Sequence, residues 1–295
     1  MKIGIIGGGA LGLLFSAYLS DFHDVTLYVR TREQEELITE EGILLIKGGK
    51  TFKKRVRVRI SENVSREEEL LIVAVKQYSL KTLFEKIHLP ETPLLFIQNG
   101  YSHVPMLEKL QTKNIFLGVV EHGALKHKGN IVEHTGEGKT KVAAYKGECG
   151  GMPLLGFKIE NFPFIWSEDY RQMLLEKLVV NAVINPLTGI LGIRNGVLLE
   201  NPHYFTLFTN YCKEISSILD LERETTQKHV EQVCRKTSSN RSSLLKDLES
   251  GKKTEIEAIL GYVIQVAKEK GKNHELAQAV YWMVKGKECQ GEDHS

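Results

Sequence analysis

A chain of 295 residues, 42% hydrophobic and 26% charged, is long enough for two domains that each bury a core, and its composition is globular rather than disordered. Its 39 basic residues nearly balance 37 acidic ones, giving a formal charge of +2 with no long block of one sign, which argues against a nucleic-acid partner. Four scattered cysteines (Cys149, Cys212, Cys234 and Cys289) without a CxxC pair fit reduced thiols better than a disulfide frame or a metal site. The first residues run straight into a strand pattern and no apolar run approaches ~18 residues, so a soluble, cytoplasmic protein without signal peptide or membrane partner is expected.

From Lys2 to about Phe116 short apolar runs alternate with helical stretches: KIGII, ALGLLFSAYLS, VTLYV, a charged helix over Arg32–Glu41, LLIVAV, a helix near Leu80–Ile87, PLLFI and NIFLGVV. Strands apolar on both faces and separated by helices predict a mostly parallel sheet. Between about Gly123 and Phe164 short glycine-punctuated pieces predict antiparallel hairpins closing this domain. Beyond about Ser167 helical periodicity dominates, in YRQMLLEKLVVNAVIN, NPHYFTLFTNYCKEISSIL, TEIEAILGYVIQVAKEKG and HELAQAVYWMVKG. The expected division is an α/β domain over residues 1–166 and an all-helical domain over residues 167–295.

Gly7, Gly9 and Gly12 form G-x-G-x-x-G directly after the first strand, with Ala10 and Leu11 opening the helix that follows. That frame is the Rossmann-type dinucleotide turn, in which glycines let backbone N–H groups and the helix N-terminus approach a pyrophosphate. The second strand ends at Arg30, where an NAD-specific fold usually carries an acidic residue. An arginine suits the 2′-phosphate of NADP, with Arg32 close enough to help, so NADPH is the expected cofactor; a solvated arginine at a helix start is the plainer reading. Lys76 after LLIVAV and Asn99 in FIQNG stand at the carboxyl ends of further strands, so four strands aim Gly7, Arg30, Lys76 and Asn99 at one crevice. Against this, Lys76 also suits a helix start and Asn99 an ordinary Asn-Gly turn.

In LLEKLVVNAVINP the only polar residues after Glu176 are Lys177, Asn181 and Asn185, at i, i+4 and i+8, which places them on one stripe of an otherwise apolar helix. Such a stripe meets either polar partners from neighbouring loops or a ligand. Pro186 is expected to end or kink the helix. Downstream, Thr254 and Glu257 have the spacing of a capping box, which leaves Glu255 free for another role. Of Ser242 and Ser243, one suits a helix N-cap and the other is available to a ligand.

Together GIIGGGALG, the Arg30 strand end, VAVK, IQNG, KLVVNAVINPLT, NRSSLLKD and TEIEAILG resemble the ketopantoate reductase (2-dehydropantoate 2-reductase) family over nearly the whole chain. The resemblance implies NADPH-dependent reduction of ketopantoate to (R)-pantoate in pantothenate and coenzyme A biosynthesis. It implies Lys177 as the general acid, Asn99 and Glu255 orienting it and the substrate, and Asn181, Asn185 and Ser243 holding the substrate. Gly7, Gly9, Ala10, Leu11, Gly12, Arg30, Lys76 and Asn99 would face the cofactor. One departure is VVEHGA at 119–124, where family members more often carry threonines, and the role of His122 stays open. The rival readings are a reductase of another small 2-keto acid, a β-hydroxyacid dehydrogenase-like enzyme, a flavoprotein and a non-enzymatic NADPH sensor. Oligomeric state is open, with a homodimer among the options.

Overall fold

Residues Ile3–Ile6 are buried on consecutive positions, as a strand must be when both faces of its sheet are covered. They form β1 (Lys2–Ile6), an interior strand of the large sheet, in the computed structural model, which describes residues 1–86 and 91–292. Packing divides the chain into one unit of residues 1–98 with 105–173 and a second of residues 99–104 with 174 onward.

In the first unit β1 leads into α1 (Ala10–Leu19), followed by β2 (Asp24–Val29), α2 (Arg32–Glu41), β3 (Ile43–Lys47), β4 (Lys50–Lys54) and β5 (Arg57–Ile60). Then come β6 (Leu70–Val73), α3 (Leu80–Lys86), β7 (Leu94–Phe96), the single turn α4 (Val104–Leu107), β8 (Ile115–Val120), β9 (Gly123–Lys126), β10 (Ile131–Gly136), β11 (Thr140–Lys146) and β12 (Phe164–Trp166). The large sheet has the order β12-β11-β8-β7-β6-β1-β2-β5 and is parallel except for the antiparallel β11–β8 pair. A second sheet, β4-β3-β10-β9, differs from the expected hairpins: β9–β10 is one, but β10 also pairs in parallel with β3, some ninety residues earlier. Helix α1 packs on β1 and β2 of the large sheet and on β3, β9 and β10 of the small one, which explains its almost wholly apolar sequence. The expected Arg32–Glu41 helix is found with those limits; the expected end of α3 at Ile87 lies outside the described residues.

The second unit is helical: α5 (Tyr170–Leu191, the first residues of which belong to the first unit), α6 (Val197–Glu200), α7 (Pro202–Ile218), α8 (Arg223–Lys236), α9 (Ser243–Glu249), a π-helical turn at Glu257–Gly261 continuing as α10 (Tyr262–Glu269), and α11 (Glu275–Glu292). Leu178, Val179, Ala182, Val183 and Ile184 of α5 enter its core with Phe208, Tyr211 and Ile215 of α7 and Ile259, Leu260 and Val263. Pro186 does not end α5, which runs on to Leu191. Thr188 Oγ1 donates to the Ile184 carbonyl oxygen at 2.8 Å and is hydrogen-bonded to Ser242 Oγ at 2.8 Å. By length and composition α5 is apolar enough to cross a membrane, although its Lys177, Asn181 and Asn185 interrupt any single apolar run. In the fold, 72% of that stretch is buried inside the protein, as befits a core helix.

His122 lies within the first unit, stacked on Phe162 with ring centres 4.3 Å apart. Its Nδ1 accepts the Gly138 N–H at 3.1 Å, so the neutral ring carries its proton on Nε2. His134 Nε2 lies 3.2 Å from the same Nδ1, and His134 Nδ1 accepts the Tyr18 hydroxyl at 2.6 Å. Burial, with the neighbouring His134, pushes His122 down to about 4; burial also lowers His134 and brings the fully enclosed His103 to about 4. These rings are neutral when folded, while in the unfolded chain they take up protons near the usual 6.5. Their contribution is therefore complete above pH 6.5 and lost as pH falls toward 4. At pH 5 the loss is roughly 2 kcal/mol each for His122 and His103. Calorimetric scans should give a Tm lower by about 5 °C or more at pH 5 than at pH 7; a Tm flat across that range would refute the assignment.

Candidate active site

The β1–α1 turn requires glycine at positions 7 and 12. Gly7 has φ +118° and its N–H donates to the Tyr28 carbonyl at 2.8 Å, continuing the β1–β2 ladder. A Cβ on Gly12 would stand 1.7 Å from the Gly7 carbonyl oxygen. A Cβ on Gly9 would meet nothing within 4 Å: this residue precedes α1, has no side-chain cap, and opens a helix whose first turn carries no acidic group. Ala10, Leu11 and Gly12 therefore begin a helix with uncapped N–H groups beside open space, a cradle that fits the pyrophosphate of a dinucleotide.

Arg30 follows the last residue of β2 and Arg32 begins α2; both are exposed. Between them Thr31 caps α2, its hydroxyl accepting the Gln34 N–H at 3.4 Å. Lys76 is exposed just past β6 at the start of a 3₁₀ turn. Three further residues shape this end of the sheet without any signal in sequence spacing. Gln34 Nε2 donates to the Gly8 carbonyl at 2.9 Å and the Gly129 carbonyl at 2.6 Å, and Lys126 Nζ donates to the Gly8 carbonyl at 2.8 Å. Buried Gln98 donates to the Val73 and Val75 carbonyls at 2.8 and 3.0 Å, holding the carboxyl end of β6.

In the helical unit Asn99 Nδ2 donates to Glu255 Oε2 at 2.9 Å, so two residues 156 positions apart meet. Gly100 makes the approach possible: at φ +85° its Cβ would stand 2.4 Å from the Ala258 carbonyl oxygen. The Tyr101 and Tyr262 rings stack with centres 5.3 Å apart and fasten the same loop to the π-helical turn. On α5, Lys177 is half-buried, while Asn181 and Asn185 are only 7% and 9% exposed. Neither asparagine side chain hydrogen-bonds to another described residue. Since buried amides are normally paired within the protein, this pair is available to a ligand.

The two downstream motifs resolve differently. Ser242 is the N-cap of α9, its hydroxyl accepting the Leu245 N–H at 3.2 Å, and the adjacent Ser243 is exposed. The Thr254–Glu257 capping box does not form. Glu288 of α11 accepts both the Thr254 N–H at 2.8 Å and its hydroxyl at 2.6 Å, while Glu257 accepts the Tyr281 hydroxyl at 2.5 Å. A carboxylate brought by tertiary packing has displaced the local one. His122, whose role the sequence leaves open, is turned into the core described above.

A mostly parallel sheet opened by a glycine turn and followed by an all-helical unit is the framework of a two-domain dinucleotide-binding protein, and the relatives of the chain make it an oxidoreductase. The chain belongs to the ketopantoate reductase family: the family model described as ketopantoate reductase PanE/ApbA matches residues 3–147, and that for its C-terminal region matches residues 169–288. The chain is 39% identical to a 2-dehydropantoate 2-reductase of Bacillus subtilis (strain 168), with 98% of each chain aligned. It is 37% identical to one of Listeria monocytogenes, covering 98% of this chain and 97% of that one. The crystal structure of the probable 2-dehydropantoate 2-reductase panE from Bacillus subtilis superposes with a TM-score of 0.89 at 38% identity, covering 97% of this chain and 100% of that one.

Because a side chain on position 12 collides with backbone, Gly12→Ala must open the turn. Dinucleotide affinity, measured by titrating reduced nicotinamide fluorescence, should fall at least ~10-fold through displacement of the α1 N–H groups. Unchanged affinity would mean that the turn is not the pyrophosphate cradle.

Proposed function

We propose that the chain reduces ketopantoate to (R)-pantoate with NADPH, with residues 1–166 serving the cofactor and residues 167–295 the substrate. The observation that carries this reading is the α5 stripe, where Lys177 precedes two buried, ligand-available asparagines on a helix otherwise committed to the core. Ketopantoate has a carboxylate at one end, a hydroxyl at the other and two methyl groups between them. It therefore needs donors at both ends and an apolar middle, the combination offered by Asn181 and Asn185 among Val and Ile side chains.

The open cradle at Gly9 supports a nicotinamide dinucleotide, which when bound supplies a hydride. Gly7, Gly9, Ala10, Leu11 and Gly12 would hold its pyrophosphate, Arg30 its 2′-phosphate, and Lys76 and Asn99 its remaining polar groups. Lys177 gives the proton to the keto oxygen as C2 is reduced, so that a neutral alcohol forms rather than an alkoxide. Glu255, already bonded to Asn99, stands as the carboxylate that orients this ammonium and the substrate hydroxyl. Ser243, freed by Ser242 taking the cap, adds a further hydroxyl to the substrate.

Lys177→Ala should lower kcat by ~10²-fold or more, the usual contribution of a general acid, while NADPH affinity stays within about twofold. Turnover close to wild type would remove Lys177 from the chemistry. With Arg30→Ala, a charge-assisted phosphate contact is lost, and NADPH affinity should drop ~10- to 100-fold with little change for NADH; equal losses would contradict the cofactor preference. Among substrates, 2-keto-3,3-dimethylbutyrate lacks only the terminal hydroxyl and should be reduced with kcat/KM at least ~10-fold below ketopantoate, because the amides that read that hydroxyl would be left unpaired. Equal rates would favour a generic 2-keto acid reductase.

A further inference from the structure

We propose that Glu288 of α11 is a positioning residue for Glu255, fixing the backbone that aims this carboxylate at Asn99; this rests on the reading of Glu255 as a functional group. Glu288 acts through Thr254, 34 positions earlier in the chain, so no local motif joins the two.

The bonds flank Glu255 on both sides. Glu288 Oε1 accepts the Thr254 N–H at 2.8 Å and the Thr254 hydroxyl at 2.6 Å. That hydroxyl in turn accepts the Ile256 N–H at 3.2 Å. The residues before and after Glu255 are thereby tied to one oxygen of Glu288, and the Glu255 carbonyl accepts the Ile259 N–H at 3.2 Å. With its main chain held at these three points, Glu255 accepts Asn99 Nδ2 at 2.9 Å.

Tyr281, Lys285 and Glu288 follow one another at four and three residues, along one stripe of α11. The Tyr281 hydroxyl donates to Glu257 at 2.5 Å, which engages the carboxylate that a local capping box would have used at Thr254. Lys285 pairs with Glu288 Oε2, the oxygen that Thr254 does not use. The Glu288 side chain is 8% exposed; burial works to raise its carboxyl, but the bonds from Lys285 and Thr254 outweigh burial and hold it below the usual range. It is therefore an ionised acceptor at neutral pH, suited to two donors that converge on one oxygen. A capping box would steady the helix start from within its own turn. A carboxylate from α11 instead fixes that start relative to the core of the unit, where Val280 and Val284 of α11 are buried with Ile256 and Ile259.

The test is steady-state reduction of ketopantoate with NADPH by the full chain, for wild type, Glu288→Ala, Glu288→Gln, Glu255→Ala and the double variant Glu255→Ala/Glu288→Ala. Glutamine keeps an oxygen for Thr254 and loses the charge that faces Lys285. Glu288→Ala should lower kcat/KM ~10-fold or more through displacement of Glu255, with NADPH affinity within about twofold, and Glu288→Gln should recover most of that loss. Once the Glu255 carboxylate is gone nothing remains to be positioned, so Glu288→Ala should change kcat/KM less than about twofold in the Glu255→Ala background. Thermal scans confirm folding; if Glu288→Ala unfolds, Thr254→Val, which removes the hydroxyl linking Glu288 to Ile256, takes its place in both backgrounds. Equal losses in both backgrounds would make Glu288 a brace of the helix and overturn the proposal. Wild-type kcat/KM in Glu288→Ala, or a glutamine variant as impaired as the alanine one, would overturn it too. If Glu255→Ala alone leaves kcat/KM unchanged, the reading of Glu255 fails first and this proposal fails with it.

Discussion

Position 12 has no room for a side chain, and much of the first unit depends on that. With the Cβ site only 1.7 Å from the Gly7 carbonyl oxygen, the chain can turn from β1 into α1 within a few residues. The tightness of the turn then directs α1 between two sheets, where Gly12 through Leu19 are all buried. A wider turn would lift the helix from β1 and β2 on one side and from β3, β9 and β10 on the other. The same contact that leaves a helix N-terminus uncapped thus also closes the hydrophobic core, so on the proposed reading the cradle and the folding of this unit draw on one piece of backbone geometry.

The helical unit solves a different problem, that of placing polar groups on a helix committed to a core. Asn181 and Asn185 are 7% and 9% exposed on the stripe that begins with Lys177, and their side chains bond to no other described residue. Around them Leu178, Val179, Ala182, Val183 and Ile184 are each no more than 2% exposed and anchor the helix. Beyond Pro186 the Thr188 hydroxyl donates to the Ile184 carbonyl and is hydrogen-bonded to Ser242, which ties the continuing helix to the start of α9. Local rules are broken at the asparagines and obeyed around them, the pattern expected of a functional surface set in a scaffold.

Features carried by short-range periodicity were legible from the sequence. The helix Arg32–Glu41 appears with its expected limits because its cap, charges and apolar spacing all lie within ten residues. The strands β4 and β5 lack such a signal: KTFKK is exposed along nearly its whole length, and RVRI alternates without a run of apolar residues. Nor does any local pattern disclose that β10 lies parallel to β3. The glycine turn, the α5 stripe and the choice between Ser242 and Ser243 could be framed from spacing alone. Gln34, Gln98 and Lys126 could not, since each acts through a partner far away in sequence. The capping box at Thr254 failed in the same way, because Glu288 reaches Thr254 from a helix that no window around position 254 contains.

Asn99 shows why chain position and structural membership have to be kept apart. It follows the β7 edge of the first unit by only a few residues, and its place after a strand suggests a cofactor-facing role. Yet residues 99–104 pack with the helical unit, where Glu255 accepts the Asn99 amide, Gly100 fits beneath the Ala258 carbonyl and Tyr101 stacks on Tyr262. Three independent contacts in consecutive residues hold that short loop to the start of the π-helical turn. The Asn99–Glu255 pair is therefore set by packing inside one unit and does not rely on the register of the sheet that precedes it. A carboxylate and an amide fixed in this way form a preformed pair, so the role proposed for them would carry no ordering cost for bringing the two together.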